Sequence, residues 1–237
     1  MLPVEDILPD LLAALEKRCE AVLVAPPGAG KTTRVPPALL GADWVKAGKI
    51  ILLSPRRIAA RAAAARMANE RGERVGETIG YRVRLDSRIG PATRIEVVTE
   101  GVFTRMILDD PELRGAAAVL FDEFHERSLE GDLGLALARD AQAALRPDLR
   151  LVVMSATLDA ARIAALLGDA PVLLSEGRMF AVAIRYAPRD PRAHLDGEVA
   201  KAVRTALSVD DGSALVFLPG AREIERTANV LRDTLDT

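Results

Sequence analysis

Two adjacent carboxylates, Asp122 and Glu123, follow an apolar run over residues 116–120 within the stretch F-D-E-F-H-E-R. An apolar strand that ends in Asp-Glu suits a site where one carboxylate holds a metal and the next works on a water. Alone the pair says little, because many surface turns contain Asp-Glu. Ninety residues before Asp122, however, lies G-A-G-K-T, Gly28 to Thr32, which reads as a phosphate-binding loop. Gly28 and Gly30 let backbone N–H groups approach phosphate oxygens without a side-chain clash. Lys31 would reach the β- and γ-phosphates, and the Thr32 hydroxyl would ligate Mg²⁺ beside Asp122. Pro27, Ala29 and Thr33 complete the nucleotide-binding stretch, and Glu123 is the candidate base. An anion cradle plus a Mg²⁺-holding carboxylate is the minimum equipment for hydrolysing a nucleoside triphosphate such as ATP.

These residues need elements to hold them. Residues 21–24 form a short apolar strand that runs into A-P-P-G-A-G-K-T and a helix reaching Leu40. Strand, glycine loop and helix in that order are the context such a loop requires. The first glycine of the usual loop pattern is Ala25 here. A helix over residues 9–18 precedes the strand, with Leu11, Leu12 and Leu15 on one side. Further strands are expected over 50–53, 79–85, 94–98, 116–121, 151–154 and 172–174. Between them lie an Ala-rich helix to about Arg71, a helix capped by Thr99 that stops before Pro111, and a helix over 133–145. At 100° per residue, Arg57, Arg61 and Arg71 share one stripe of the Ala-rich helix, with Arg66 opposite Arg57. Strands alternating with helices predict an α/β fold, a mostly parallel sheet covered on both faces. The candidate residues then fall just beyond strand C-termini, where such sheets place ligands. After Gly177 the texture changes to a polar, proline-rich connection over 185–194. A helix, a strand over 214–218 and a helix over 222–231 follow.

Composition narrows the classes. The chain has 237 residues, 49 % apolar and 28 % charged, as ordinary globular proteins do. No apolar run approaches the ~18–20 residues needed to cross a bilayer, so no membrane partner is expected. The start, M-L-P-V-E-D, lacks the positive flank of a secretory signal. A single cysteine, Cys19, rules out an internal disulfide, reads as a small buried apolar residue, and makes a cytoplasmic location the expectation. Net charge is −2, so bulk basicity does not advertise nucleic acid. Only five of the cations are lysines; arginine position has to carry any phosphate-binding argument, because guanidinium forks suit phosphates where several converge.

Six stretches in order, A-P-P-G-A-G-K-T, S-P-R-R-I-A-A-R, V-T-E-G-V-F-T-R, D-E-F-H-E-R, M-S-A-T-L-D and L-V-F-L-P-G-A-R-E-I, resemble the DEAH-box RNA helicases of superfamily 2. The likeness covers nearly the whole chain and is strongest to the bacterial HrpB branch, with which Phe124 in the box is associated. The resemblance implies two RecA-like lobes with ATP, possible alternative nucleotides and Mg²⁺ held across their cleft. It assigns residues 1–177 to the first lobe, whole, and 178–237 to an incomplete start of the second. It implies that Asp122 positions Mg²⁺ through water, Glu123 polarises the attacking water, and His125 links the nucleotide site to the second lobe. Ser155 and Thr157 correspond to the coupling motif, and Arg66 to the residue that stacks on adenine. The aromatic that usually forms the other adenine wall is missing: Arg189, Asp190 and Arg192 occupy that neighbourhood. For single-stranded RNA, with DNA an alternative, the resemblance points to Arg57, Arg84, Thr99 and Arg105. Only three Trp and Tyr residues exist in the chain, which argues against an aromatic stacking platform.

The later helicase motifs, among them the Q-x-x-G-R-x-G-R segment, are not in this sequence. Two other readings stay open here: a nucleotide- and RNA-binding module without useful turnover, and another kind of P-loop ATPase. S-A-T and T-E-G-V-F-T-R have no role in the latter. A monomer is expected. RNA contacts made through Arg57, Arg84 and Arg105 to phosphates should be weak and sequence-blind. Replacing one of these arginines should weaken every single strand alike and lower the salt slope of binding by ~0.7 per lost contact. Titration of unrelated oligonucleotides over a salt series checks this, and a strong preference for one sequence would contradict it.

Overall fold

In the central strand of the computed structural model every residue is buried, and neighbouring side chains feed different cores. Ala118 and Leu120 of this strand point into one apolar cluster, Val119 and Phe121 into the other. Side chains alternate across a strand, so a strand that is apolar at every position must be covered on both faces of its sheet. Residues 2–46, 48–156, 160–176, 182–188, 190 and 192–235 are described.

The chain runs α1 (Leu8–Lys17), β1 (Glu20–Val24), α2 (Lys31–Leu39), β2 (Lys49–Ser54), α3 (Arg57–Glu70), β3 (Ile79–Val83), β4 (Asp86–Arg88), β5 (Ile95–Thr99) and α4 (Glu100–Asp109). It continues with β6 (Ala116–Phe121), α5 (Leu129–Ala144), β7 (Arg150–Ser155), α6 (Ala160–Leu166), β8 (Val172–Leu174), α7 (Leu195–Val209) and α8 (Ala221–Leu235). Among the described residues the eight strands form one sheet in the order β4-β3-β5-β2-β6-β7-β1-β8. Every pairing is parallel except β3 with β4. Leu11 and Leu15 of α1, Val35 and Leu39 of α2, and Met67 of α3 pack on one face. Phe103 and Ile107 of α4, Leu135 of α5 and Ile163 of α6 pack on the other. Two compact units result, Met1–Met179 and Phe180–Thr237.

Four local expectations need correction. The strand expected over 79–85 ends at Val83, and the chain turns through Arg84 and Leu85 into antiparallel β4. Leu85 takes a left-handed φ of 65°, which closes this tight turn. Asp86 holds it, accepting from Tyr81 Oη at 2.9 Å and pairing with Arg61 at 2.7 Å. The helix expected from residue 133 starts at Leu129 because Ser128 caps it, its Oγ accepting from Gly131 N at 2.8 Å. Cys19 is half-exposed, its thiol donating to the Pro147 carbonyl at 3.3 Å. In the second unit α7 packs on α8. There, residues 214–218 do not form a strand, and Leu215 and Phe217 are 81 % and 87 % exposed. A strand exists only as part of a ladder; without a neighbouring edge its N–H and C=O groups are left to water.

Candidate nucleotide site

Because the six neighbouring strands from β3 to β1 all run in the same direction, their C-terminal ends emerge along one edge of the sheet. Across this edge lie Arg84 after β3, Thr99 at the end of β5, Arg57 after β2, Asp122 after β6, Ser155 at the end of β7 and the glycine loop after β1. Sequence-distant stretches thus converge for a topological reason.

The loop after β1 is shaped by Gly28 and Gly30, at left-handed φ values of 78° and 94°. A Cβ on Gly30 would come within 2.7 Å of Leu2 Cδ1. Gly30 leads into α2 with no side-chain cap, leaving a helix N-terminus suited to an anion. Val4 N donates to Ala29 O at 3.1 Å and braces the loop from outside. Pro27 and Gly28 are exposed, whereas Ala29 is buried and Thr33 half-buried. Ala25, in the slot where the usual pattern has glycine, does not have a positive φ and is fully buried. It gives its N–H to Ser155 O at 3.0 Å. Its own carbonyl accepts from Lys31 Nζ at 2.6 Å. Lys31 is itself 3 % exposed and also reaches Pro26 O at 3.3 Å.

Thr32 and Asp122 meet directly: Thr32 Oγ1 donates to Asp122 Oδ2 at 2.5 Å. Asp122 Oδ1 accepts the N–H of Glu123 at 3.0 Å. Burial pushes the Asp122 carboxyl up to about 6, aided by the Glu123 charge and opposed by the Thr32 hydrogen bond and the Lys31 charge. Glu123 has φ 50°, and the short 3₁₀ turn Phe124–Glu126 begins after it. This kink brings Glu123 Oε2 to 3.4 Å from His125 Nδ1. The same nitrogen accepts the N–H of Ala156 at 3.2 Å, so it carries the lone pair in this arrangement. Ser155, buried, ties β7 to the glycine loop through its carbonyl. Thr157 lies outside the described residues.

The arginines divide. Arg66 is exposed and held on the α3 surface by Glu70, which also pairs with Arg34 of α2 at 3.0 Å. Arg57 and Arg84 are exposed at the strand-end edge, while Arg105 lies on α4 and pairs with Asp109 at 2.9 Å. Thr99 occupies the first position before α4 but makes no side-chain capping bond, contrary to its expected role. Two contacts have no signal in the sequence. One is the backbone N–H of Ala156, a residue without a functional side chain. The other is Arg56, whose Nη2 reaches both oxygens of Glu126 at 3.1 Å and ties the S-P-R-R stretch to the carboxylate box. Opposite charges in the two motifs permit the pair, but many other acids could have taken that arginine.

The buried acid carries a stability cost. Its folded value lies above the ordinary 3.8, so between about pH 4 and 6 the folded chain keeps a proton the unfolded chain has lost. Stability therefore falls as pH rises through that window. Asp122→Asn cannot ionise; it should match the wild type below about pH 4 and exceed it above about pH 6, by up to ~3 kcal/mol. Urea unfolding in EDTA at both pH values measures this, and equal stabilities at neutral pH would show that the ionised carboxylate is not strained.

The sequence profile of the DEAD/DEAH box helicase family matches residues 6–166. The chain is 52 % identical, over 97 % of its length, to the ATP-dependent RNA helicase HrpB of Escherichia coli, and spans 28 % of that protein. It is 34 % identical to the probable ATP-dependent RNA helicase DHR2 of Saccharomyces cerevisiae, of which it spans 32 %. The crystal structure of the E. coli DEAH/RHA helicase HrpB superimposes with a TM-score of 0.89 at 51 % identity, covering 98 % of this chain and 30 % of that one. A crystal structure described as the E. coli DExH-box NTPase HrpB gives 0.75 over a similar span. Its mostly parallel sheet matches the RecA-like domain of a DEAH helicase, and the chain belongs to the DEAD/DEAH box helicase family.

Proposed function

We propose that this chain binds a Mg²⁺–nucleoside triphosphate, ATP foremost, hydrolyses it, and couples hydrolysis to single-stranded RNA as part of a helicase. The observation that carries the reading is the Thr32–Asp122 hydrogen bond, which puts the hydroxyl of the glycine loop against the box carboxylate. Both are hard oxygen donors, and Mg²⁺ favours such ligands, usually keeping waters of its own. The residues therefore fit that ion, which when bound neutralises charge on the β- and γ-phosphates. Lys31, already lodged against the loop, offers a point charge to the same phosphates. Glu123 is the base that orients and deprotonates the attacking water. His125, joined to Ala156 at the end of β7, passes the state of the box to the S-A-T stretch. Arg66 would stack on the base after leaving Glu70.

RNA would follow the part of the edge carrying Arg84, Thr99 and Arg57, with Arg105 on the neighbouring helix. Support comes from their position on the edge that carries the nucleotide residues, and from relatives named as RNA helicases. Unwinding is proposed for the longer protein, since the chain spans under a third of those relatives. In this reading residues 1–177 are the first RecA-like lobe and 178–237 begin the second. The protein acts as a cytoplasmic monomer; among the described residues no helix is long and apolar enough to cross a membrane.

Two substitutions test the core of this reading. Lys31→Ala should abolish detectable binding of a fluorescent Mg²⁺–ADP analogue while the circular dichroism spectrum stays unchanged. Unchanged affinity would remove the loop from the site. Glu123→Gln should keep nucleotide affinity and lower phosphate release by ~10²–10⁴. Equal release from wild type and variant would assign the chemistry to another group.

A further inference from the structure

On the face of the sheet covered by α4, α5 and α6, a cavity of about 310 Å³ opens between α5, α6 and the 3₁₀ turn of the carboxylate box. Phe124, Leu135, Ile163 and Leu167 form its buried apolar wall, and Leu166 stands beside it 56 % exposed. Arg127, Arg139 and Arg162 line it, together with a single acid, Asp132. Arg127 Nη2 pairs with Asp132 at 2.8 Å, so that acid is already neutralised. Arg139 and Arg162 are exposed and have no ion-pair partner among the described residues. Arg34, Arg61, Arg66, Arg82, Arg105 and Arg146 of the first unit pair with acids, whereas among the described residues Arg139 and Arg162, like Arg57 and Arg84 at the strand-end edge, do not. The groove therefore combines an apolar floor with two uncompensated positive charges.

We infer that this α5–α6 groove is a docking surface for an acidic amphipathic protein segment, one that seats apolar side chains on Leu135, Ile163 and Leu166 and sets carboxylates against Arg139 and Arg162. Charge complementarity selects this occupant. A helix that lays its apolar side in a groove reads it through anchors at i, i+3 or i+4 and i+7, and opposite charges at the rim set partner choice. A nucleic-acid strand would use the arginines but gain nothing from the buried wall. It would also leave the strand-end edge where Arg57 and Arg84 lie.

The seat would be felt in the box. Phe124 is both a wall of the groove and a member of the box, and its ring stands edge-on to Phe121 with centroids 6.2 Å apart. Arg127 closes the 3₁₀ turn at a left-handed φ of 49° and lies over the Phe124 ring at 5.8 Å. An occupant that pulls on Phe124 or Arg127 thus acts on the turn that sets Glu123 and His125. The docking itself does not depend on the nucleotide reading.

The test uses the whole chain without nucleotide. A fluorescein-labelled synthetic helix with leucines at i, i+3 and i+7 and glutamates flanking them is titrated by anisotropy, beside a lysine-for-glutamate version and a single-stranded RNA oligonucleotide. The acidic helix should bind, with an affinity that falls as salt rises; the lysine version should not. The double variant Arg139→Glu, Arg162→Glu should weaken the acidic helix by ~10-fold or more and leave RNA affinity unchanged. Leu166→Lys, an exposed position, should weaken it as well, and thermal melts of both variants should match the wild type. Hydrogen exchange at residues 124–127 should slow when the helix is bound. Failure of the acidic helix to bind, equal binding of both peptides, or loss of RNA affinity instead in the double variant would overturn the proposal, whatever the outcome for Lys31→Ala.

Discussion

One hydrogen bond spans ninety residues of sequence, from Thr32 at the start of α2 to Asp122 at the end of β6. It can form only because β1 and β6 run in the same direction with β7 between them, which brings both C-terminal ends to one edge. It also opposes the rise in the Asp122 value that burial imposes, so the fold and the ionisation of the site are linked. Antiparallel pairing would send the two residues to opposite ends of the sheet. The β3–β4 hairpin shows that antiparallel pairing is tolerated only at the rim, away from the nucleotide residues.

β7 is the central connector. Its last residue gives a carbonyl to Ala25 at the base of the glycine loop, and the following N–H goes to His125 in the box. Both contacts use backbone groups, whose positions are set by the ladder with β1 and β6 rather than by rotamers. A displacement of the loop and a displacement of the box would each be felt at residues 155–156. The Arg56–Glu126 pair makes a second link, from the box to the end of β2. That pair is exposed, so it contributes little to stability, and its value lies in direction.

The strands that make the core were legible because each is dominated by apolar residues and several are flanked by glycine or proline, although β5 buries Glu96. The expected bounds 116–121 and 172–174 match β6 and β8. Asp122, Thr32 and Lys31 stood out because residue type and spacing both constrain phosphate chemistry, and the structure brings them together. What escaped depended on partners. The hairpin at Leu85 needed a left-handed residue with no glycine to announce it. Residues 214–218 have the β-branched and aromatic content of a strand, yet strand content has no effect without an edge to pair with. Ala156 acts through its N–H, which every residue except proline possesses, so no sequence pattern could single it out. The pairing of Arg66 with Glu70 follows from i,i+4 spacing and was open to inspection; whether a neighbouring acid or a base claims the guanidinium was not.

The sheet order has a consequence for how the protein is made. Val22 of β1 lies between Val153 of β7 and Val172 of β8, whereas β2 and β5, which pair with each other, are separated by far fewer residues. During synthesis β2, β3 and β5 can begin to zip while β1 has neither neighbour. The strand that leads into the glycine loop must wait, apolar and unpaired, until the ribosome has released residues as far as 174. The first of these strands to be translated is among the last to be gripped on both sides, and with it the loop built to hold phosphate.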